Sequence, residues 1–390
     1  MKRSVNNIEV KKMNRNRVFR YVNSRTKTSM PDISTALDMS GPTVLTIINE
    51  LKEVHVVQEV GELRSTGGRK AKAIASVQDM CYAVGLDITR NHVSLALTNF
   101  SEKTLKHIRI RKPFVYEDNY FAEVGEIVNQ FIEESVIPQE RIVGVGISVP
   151  GLVDPIQNKV FFSGALGLEA CDIGCDEYAK YLPYHCTLLN DANAAVCTEC
   201  VNSVHRGSMV YLSLSNTVGG AIVFQSESDR FNVSVGIEPV SIFMGNNWRG
   251  GEFGHMTIHP EGIKCYCGKK GCLDTYCSAL KLANMADGNL EDFFVGVEAG
   301  NLQFKLAWET YLDDLLIAVD NLRMSFDCDV VLGGYVGSYM EPYILKFQRK
   351  VAERNIFEND GKYVRACKYQ VEASALGAAI YQIEKYVDTI

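Results

Sequence analysis

Apolar residues recur three and four positions apart in three short stretches near the start of the chain. Val18, Phe19 and Val22 share one face of residues 14–23. Ile33, Ala36 and Leu37 share one face of residues 30–40, and Val44, Ile47, Ile48 and Leu51 share one face of residues 41–54. That period predicts three helices, and Pro42 suits the first turn of the third. Three short helices with a tight turn before the last form a helix-turn-helix. Residues 54–77 then predict a β-hairpin with a basic, glycine-rich turn holding Arg64, Gly67, Gly68, Arg69 and Lys70. Such a wing beside a helix-turn-helix makes a DNA-docking module, with the third helix in the major groove. Pro42, Thr43 and Thr46 are the candidates at the bases; Arg64, Arg69 and Lys70 are the candidates at phosphate or the minor groove.

After Asp79 the pattern changes. Residues 81–100 read strand–turn–strand, and residues 208–225 repeat that form. Residues 141–154 are a buried strand ending in Pro-Gly, and residues 330–338 a strand ending in a glycine turn. Residues 186–201 run from strand to helix with Asn190 and Asp191 at the junction. Helical stretches at 120–134 and 302–325 alternate with the strands, which predicts an α/β body. The two similar hairpins predict duplicated halves facing each other across a cleft. The expected division is a winged helix-turn-helix over 1–78, a first lobe over 79–192 joined by a C-terminal helix 376–390, and a second lobe over 193–375.

Charge sharpens this division. The chain of 390 residues carries a net −7. Residues 1–78 hold 14 lysines and arginines against 7 acids, and the remainder holds 26 against 40. A basic head on an acidic body points to phosphate contact by the head alone. No apolar run is long enough to span a membrane, and residues 1–17 lack the apolar core of a secretory signal. A cytoplasmic protein is expected. Its twelve cysteines are then expected as thiols or metal ligands, not disulfides.

Three of those cysteines crowd together in the pattern H-x9-C-x-C-x4-C, made by His255, Cys265, Cys267 and Cys272. Three thiolates and one imidazole suit a closed, structural tetrahedral zinc site. His259 is a competing imidazole and Cys277 a spare thiol. Asn190 and Asp191 lie at the carboxyl end of a strand, where ligands of α/β folds collect. A carboxylate there can act as general base toward a hydroxyl, or the pair can simply cap the next helix. Glu252, three residues before His255, and Asp274, two after Cys272, form a candidate polyol clamp or are ordinary surface acids. Cys197 and Cys200 have the spacing of a redox or metal pair, but with no further ligand nearby in the sequence they read as helix-packing thiols.

Together these segments resemble the ROK family of repressors, open reading frames and kinases. The resemblance rests on STGGRKAKAI (65–74), VGVGISVPGLVD (143–154), LLNDANAAV (188–196), GGEFGHM (250–256), CYCGKKGCLDTYCS (265–278) and ALGAAI (375–380). It implies two ribonuclease-H-like halves of the actin/hexokinase type closing over a sugar. It further implies that Asn190, Asp191, Glu252, His255 and Asp274 contact that sugar, with Asp274 one methylene shorter than the family's usual Glu. His255 would place one ring nitrogen on zinc and the other toward a sugar hydroxyl. Asp191 would be the catalytic base if the chain were a kinase.

Kinases of the family use an Asp-x-Gly turn in the first hairpin and Gly-Thr-Gly-x-Gly-Gly-Gly in the second. Here those turns read Asp87-Ile88-Thr89 and Ser215-Asn216-Thr217-Val218-Gly219-Gly220-Ala221. Amides approach ATP phosphates closely only where no Cβ intervenes. The expectation is therefore a sugar-responsive repressor, with an ATP-dependent sugar kinase as the alternative. Residues 161–167 lack the Asn and Trp expected of a hexose loop, which leaves the sugar open. The expected partners are operator DNA, a sugar or sugar phosphate, and further copies in a homodimer or homotetramer. The zinc loop is expected to carry cleft closure to the dimer interface and so change the spacing of the two heads.

Overall fold

Ser29 and Ser40 start two successive helices in the same way. Ser29 caps α2 (Met30–Leu37) by accepting the Asp32 amide at 3.3 Å, and Ser40 caps α3 (Gly41–Glu53) by accepting the Thr43 amide at 3.3 Å. Pro31 and Pro42 occupy the first turns, where a missing N–H leaves nothing unsatisfied. Asp38, at φ 51°, ends α2 in a left-handed turn and redirects the chain into α3. These features belong to a computed structural model that describes residues 7–63, 71–168, 173–200, 207–224, 241–369 and 372–390.

Helix α1 (Asn7–Asn23) precedes this pair and begins seven residues earlier than its apolar period announces. Glu9, Lys11, Lys12 and Met13 are good helix formers, but they carry no apolar stripe to read. The apolar positions of all three helices meet in one core with Ile74. Strand β1 (Val57–Glu62) pairs antiparallel with β2 (Lys72–Ser76) as the wing. Arg64, Arg69 and Lys70, assigned to its tip, lie outside the described residues.

The body is built on two five-stranded sheets of identical topology. The first contains β3 (Tyr82–Ile88), β4 (His92–Asn99), β5 (Thr104–Arg111), β6 (Ile142–Val149) and β10 (Cys186–Asn190), in the order β10-β6-β3-β4-β5. A small sheet of β7 (Leu152–Asp154), β8 (Lys159–Phe162) and β9 (Ile173–Gly174) is inserted between β6 and β10. The second sheet contains β11 (Met209–Leu214), β12 (Val218–Phe224), β13 (Ser241–Ile242), β14 (Asp329–Gly333) and β15 (Val364–Ala366), in the order β13-β12-β11-β14-β15. Each sheet is an antiparallel hairpin extended on one side by parallel strands. This is the duplication that the paired hairpins in the sequence predict.

Helices fill the faces. α4 (Asp118–Glu133) buries Tyr120, Phe121, Val124 and Val128 against one face of the first sheet. α5 (Asp191–Cys200) packs Ala192, Ala195 and Val196 onto Tyr211, Ala221 and Val331 of the second sheet. α6 (Leu290–Glu298), α7 (Leu302–Phe326) and α8 (Ile344–Ala352) cover the far face of that sheet around the buried Trp308. The C-terminal helix α9 (Ala373–Val387) lies between the sheets, on β3 and β6 and against α5.

Candidate functional site

The strongest chemistry lies in the loop between β13 and α6. Antiparallel bridges Thr257↔Cys272 and Lys264↔Lys270 fold this loop back on itself. Gly271, at φ 72°, closes it; a Cβ there would lie 1.6 Å from the His259 carbonyl oxygen. Within the loop the ligand atoms of His255, Cys265, Cys267 and Cys272 all lie within 4.8 Å of one another. His255 Nδ1 stands 3.8 Å from Cys265 Sγ, and Cys267 Sγ stands 3.6 Å from Cys272 Sγ. A tetrahedral ion with metal–sulfur bonds of about 2.3 Å needs donor separations of about 3.7 Å. The four side chains are thus spaced to hold a metal, and they form the one such His/Cys group among the described residues. His259 is turned elsewhere: its Nε2 pairs with Asp314 at 2.7 Å and its ring packs on Tyr276.

Between the two sheets lies a group of carboxyls. Asp191 opens α5 at the end of β10, and Asp87 sits near the end of β3. Burial pushes Asp191 up to about 6 and Asp87 up to about 7. Ser148 donates to Asp87 at 2.7 Å and works against that rise. Glu252, just before the short turn Phe253–His255, is also raised, first by loss of water and then by the charge of Asp191. The Asp191 charge adds to the rise of both Asp87 and Glu252. Asp274 is buried, and its Oδ1 accepts the Val218 amide at 2.6 Å. That bond ties the metal loop to the β11–β12 hairpin.

Asn190 is fully engaged within the protein. Its Nδ2 donates to the Gly151 carbonyl at 2.9 Å and to Asp191 Oδ1 at 3.0 Å. Its Oδ1 accepts the amides of Ala192 and Asn193. The capping role is therefore filled, and both Nδ2 and Oδ1 already have partners within the protein. The Cys197 and Cys200 thiols each donate to the carbonyl four residues back in α5, as packing thiols do.

Two features escaped the sequence. Tyr266, inside the metal loop, places its hydroxyl 3.4 Å from His255 Nε2. Across the cleft, Arg109 of β5 donates to the Tyr335 hydroxyl at 3.4 Å and lies 5.4 Å from its ring centre. Tyr335 follows Gly334, where a Cβ would come 2.6 Å from Ser215 Oγ. The glycine turn after β14 thus abuts the Ser215-Asn216-Thr217 turn, and Arg109 closes over it from the other lobe. Tyr266 sits inside the motif 265–278 but is not one of its metal donors, and no periodicity or motif flags Arg109 or Tyr335.

On the head, α3 buries Val44, Ile47, Ile48 and Leu51 and exposes Pro42, Thr43, Leu45, Thr46 and Asn49. Thr46 donates its hydroxyl to the Pro42 carbonyl at 3.0 Å, and Thr43 pairs with the Ser40 hydroxyl at 2.8 Å. Asn49, one turn beyond Thr46 on the same face, was not singled out in the sequence; its i+3 spacing from Thr46 is the signal that could have found it. Lys52, near the end of α3, pairs with Glu59, and Lys11 reaches across to Glu50.

Residues 83–385 match the family model described as "ROK family". The chain is 23% identical to the xylose repressor of Bacillus subtilis, covering 98% of this chain and 97% of that protein. It is 24% identical to the DNA-binding transcriptional dual regulator NagC of Escherichia coli, covering 68% of this chain and 62% of that one. The fold matches a ROK family transcriptional regulator, a homologue of the E. coli MLC protein, with a TM-score of 0.73 at 19% identity over 97% of both chains. It also matches a ROK family glucokinase from Streptomyces griseus in complex with glucose and AMPPNP, with a TM-score of 0.60 at 20% identity over 76% of this chain and 98% of the other. Among the described residues, no helix is long and apolar enough to cross a membrane.

Proposed function

Because the chain belongs to the ROK family, we propose that it is a sugar-responsive transcriptional repressor. The head binds operator DNA, and the cleft between the two sheets holds a sugar or sugar phosphate. The observation that carries this reading is the pairing of two features in one chain. A helix-turn-helix presents an exposed helix face, and Glu252, which feels the charge of Asp191, leads into a braced His/Cys loop. The full-length match to a repressor, head included, supports the same reading.

His255, Cys265, Cys267 and Cys272 would hold a structural zinc ion, whose part is to fix the loop that carries Glu252 and His255. Asp191 accepts a hydrogen bond from one sugar hydroxyl, and Glu252 accepts from a neighbouring one. His255 keeps Nδ1 on the metal side and offers Nε2 to the ligand. Thr43, Thr46 and Asn49 face the bases, while Arg64, Arg69 and Lys70 hold phosphate or the minor groove. Two heads in a homodimer or homotetramer would read two half-sites in a cytoplasmic protein.

The kinase alternative has one supporting observation, the retained Asp191. Against it stand the Cβ atoms of Ser215, Thr217 and Ala221, where the family's kinases carry glycine, and the Arg109–Tyr335 contact beside that turn. A thermal-shift screen of the full-length chain against pentoses, hexoses, aminosugars and their phosphates is the test. Duplexes selected from a random pool are titrated alongside, and ATP consumption is followed with the strongest sugar. A stabilising sugar that changes DNA affinity is expected. Brisk ATP turnover, or absence of both sugar and DNA binding, overturns the repressor reading.

A further inference from the structure

The head does not hang from a flexible linker. Its core is continuous with that of the first lobe: Val18, Phe19 and Val22 of α1 pack in one cluster with Cys81, Ala83 and Phe100 of the first sheet and with Ala379, Ile383 and Val387 of α9. Phe19 stacks on Phe100 at 4.8 Å between centroids, and Phe100 meets Tyr386 edge-on at 6.0 Å. Asn23 donates to the Phe100 carbonyl at 3.2 Å. Arg20, only 7% exposed, forms an ion pair with Glu384 of α9 and lies 3.5 Å from Asp388. Glu102, also buried, stands against Glu384; burial and that neighbour push its carboxyl well above the ordinary range.

The other end of α9 reaches the candidate sugar site. Ser374 donates to the Asp191 carbonyl at 3.2 Å. The charge of Glu372, the residue before the helix, acts on Asp87. Fifteen helical residues, a rod of about 22 Å, separate the two ends.

The rod cannot slide in its seat. A Cβ on Gly85 of β3 would lie 1.7 Å from the Ala375 carbonyl oxygen, and one on Gly146 of β6 would lie 2.1 Å from that of Ala378. A Cβ on Gly377 would lie 1.8 Å from the Ala194 carbonyl of α5. Backbones in direct contact behave as close-packed solids and transmit displacement instead of absorbing it. Across the mouth of the cleft, Arg109 and Tyr335 meet through one long hydrogen bond between long side chains.

We infer that the winged head, the first sheet and α9 move as one rigid body, so that cleft closure re-aims the recognition helix, with Arg20 and Glu384 as the coupling contact. This assigns the signal path to α9, where the sequence alone pointed to the metal loop. It rests on the proposed repressor function for its consequence, but the rigid body itself is testable without ligand. Arg20 and Glu384 touch neither sugar nor DNA in this reading; they are positioning residues.

Two measurements on the full-length chain test it. In the first, hydrogen exchange is followed without ligand. Amides of α3 and β3 should open as one cooperative unit, and Glu384→Gln should make α3 exchange at least tenfold faster while β14 is unchanged. Independent opening of α3 in the wild-type chain overturns the inference whatever the protein binds. In the second, a duplex selected by the wild-type chain is titrated with and without D-xylose, D-glucose, N-acetylglucosamine and their phosphates. Allosteric coupling factors run from about 5 to 150; Glu384→Gln and Ser374→Ala should each cut the observed factor to about twofold or less. Arg20→Lys, which keeps the charge, should restore part of it. A lowered Tm with an unchanged coupling factor would mean a merely structural junction and overturn the proposal. If no sugar alters DNA affinity in the wild type while α3 and β3 open together, the repressor reading fails and the rigid body stands.

Discussion

The Tyr266 hydroxyl stands 3.4 Å from Nε2 of His255, on the ring nitrogen that faces away from Cys265. That is the nitrogen the family resemblance assigns to a sugar hydroxyl. Tyr266 is 65% exposed, so little packing holds it in place. In the proposed reading it stands where the ligand's hydroxyl would bind and would have to leave when sugar arrives. Tyr266→Phe should therefore raise sugar affinity about three- to tenfold, the worth of one ordinary hydrogen bond no longer displaced. Calorimetric titration reads this directly, and a weaker affinity in the variant would show that the phenol binds the sugar instead.

Asp191 gives the binding a pH signature. Burial raises its carboxyl to about 6. A hydroxyl donates more strongly to the ionised form, so binding should hold above pH 7 and weaken as pH falls through 6. One unit below that value, only about a tenth of the sites remain ionised, which gives about tenfold weaker binding at pH 5. Asp191→Asn should bind poorly and flatten the profile. The same raised values act on stability with a definite sign. Folded Asp87 and Asp191 hold protons at pH values where the unfolded chain has released them, so their contribution to stability falls as pH rises from about 4 through 7. A Tm measured across that range with both residues changed to Asn should lose this component.

The metal loop predicts one zinc per chain, read by elemental analysis of purified protein. Cys272→Ser should lose it and lower Tm by on the order of 5–10 °C. Cys277→Ser, five residues on, should retain it, because Cys277 is buried with its thiol toward the Tyr311 carbonyl and outside the four-donor group. Loss of zinc from both variants, or from neither, would contradict the ligand assignment.

The free face of α3 predicts how the head reads DNA. Asn49 is the side chain there able to pair with both adenine edge groups in the major groove. Asn49→Ala should cost about 1–3 kcal/mol at one base pair and relax selectivity there. Changing Arg69 and Lys70 to Ala should act differently. It should weaken binding to all sequences and reduce the slope of log affinity against log salt by about two. Binding that keeps its full salt slope in that double variant would remove the wing from the interface.

What the sequence by itself determined lies close along the chain. The helix-turn-helix follows from apolar spacing and Pro42 in the first turn of its third helix, the paired hairpins from strand pattern, and the four metal donors from a span of eighteen residues, His255 to Cys272. In each case the partners are near neighbours, so local periodicity and short loop closure leave little choice. The residues of the proposed sugar site were named as a set by the family's motifs, but not their present partners. Only the tertiary structure showed Asn190 serving as a cap, Asp274 tied to Val218, and Tyr266 covering His255. Above all it decided the junctions between units. Arg20 meets Glu384 across nearly the whole chain, and Arg109 meets Tyr335 across the cleft. Such pairs carry no period and no motif, because they are selected by how finished layers stack, and that stacking exists only once the distant glycines let α9 settle against both β3 and α5.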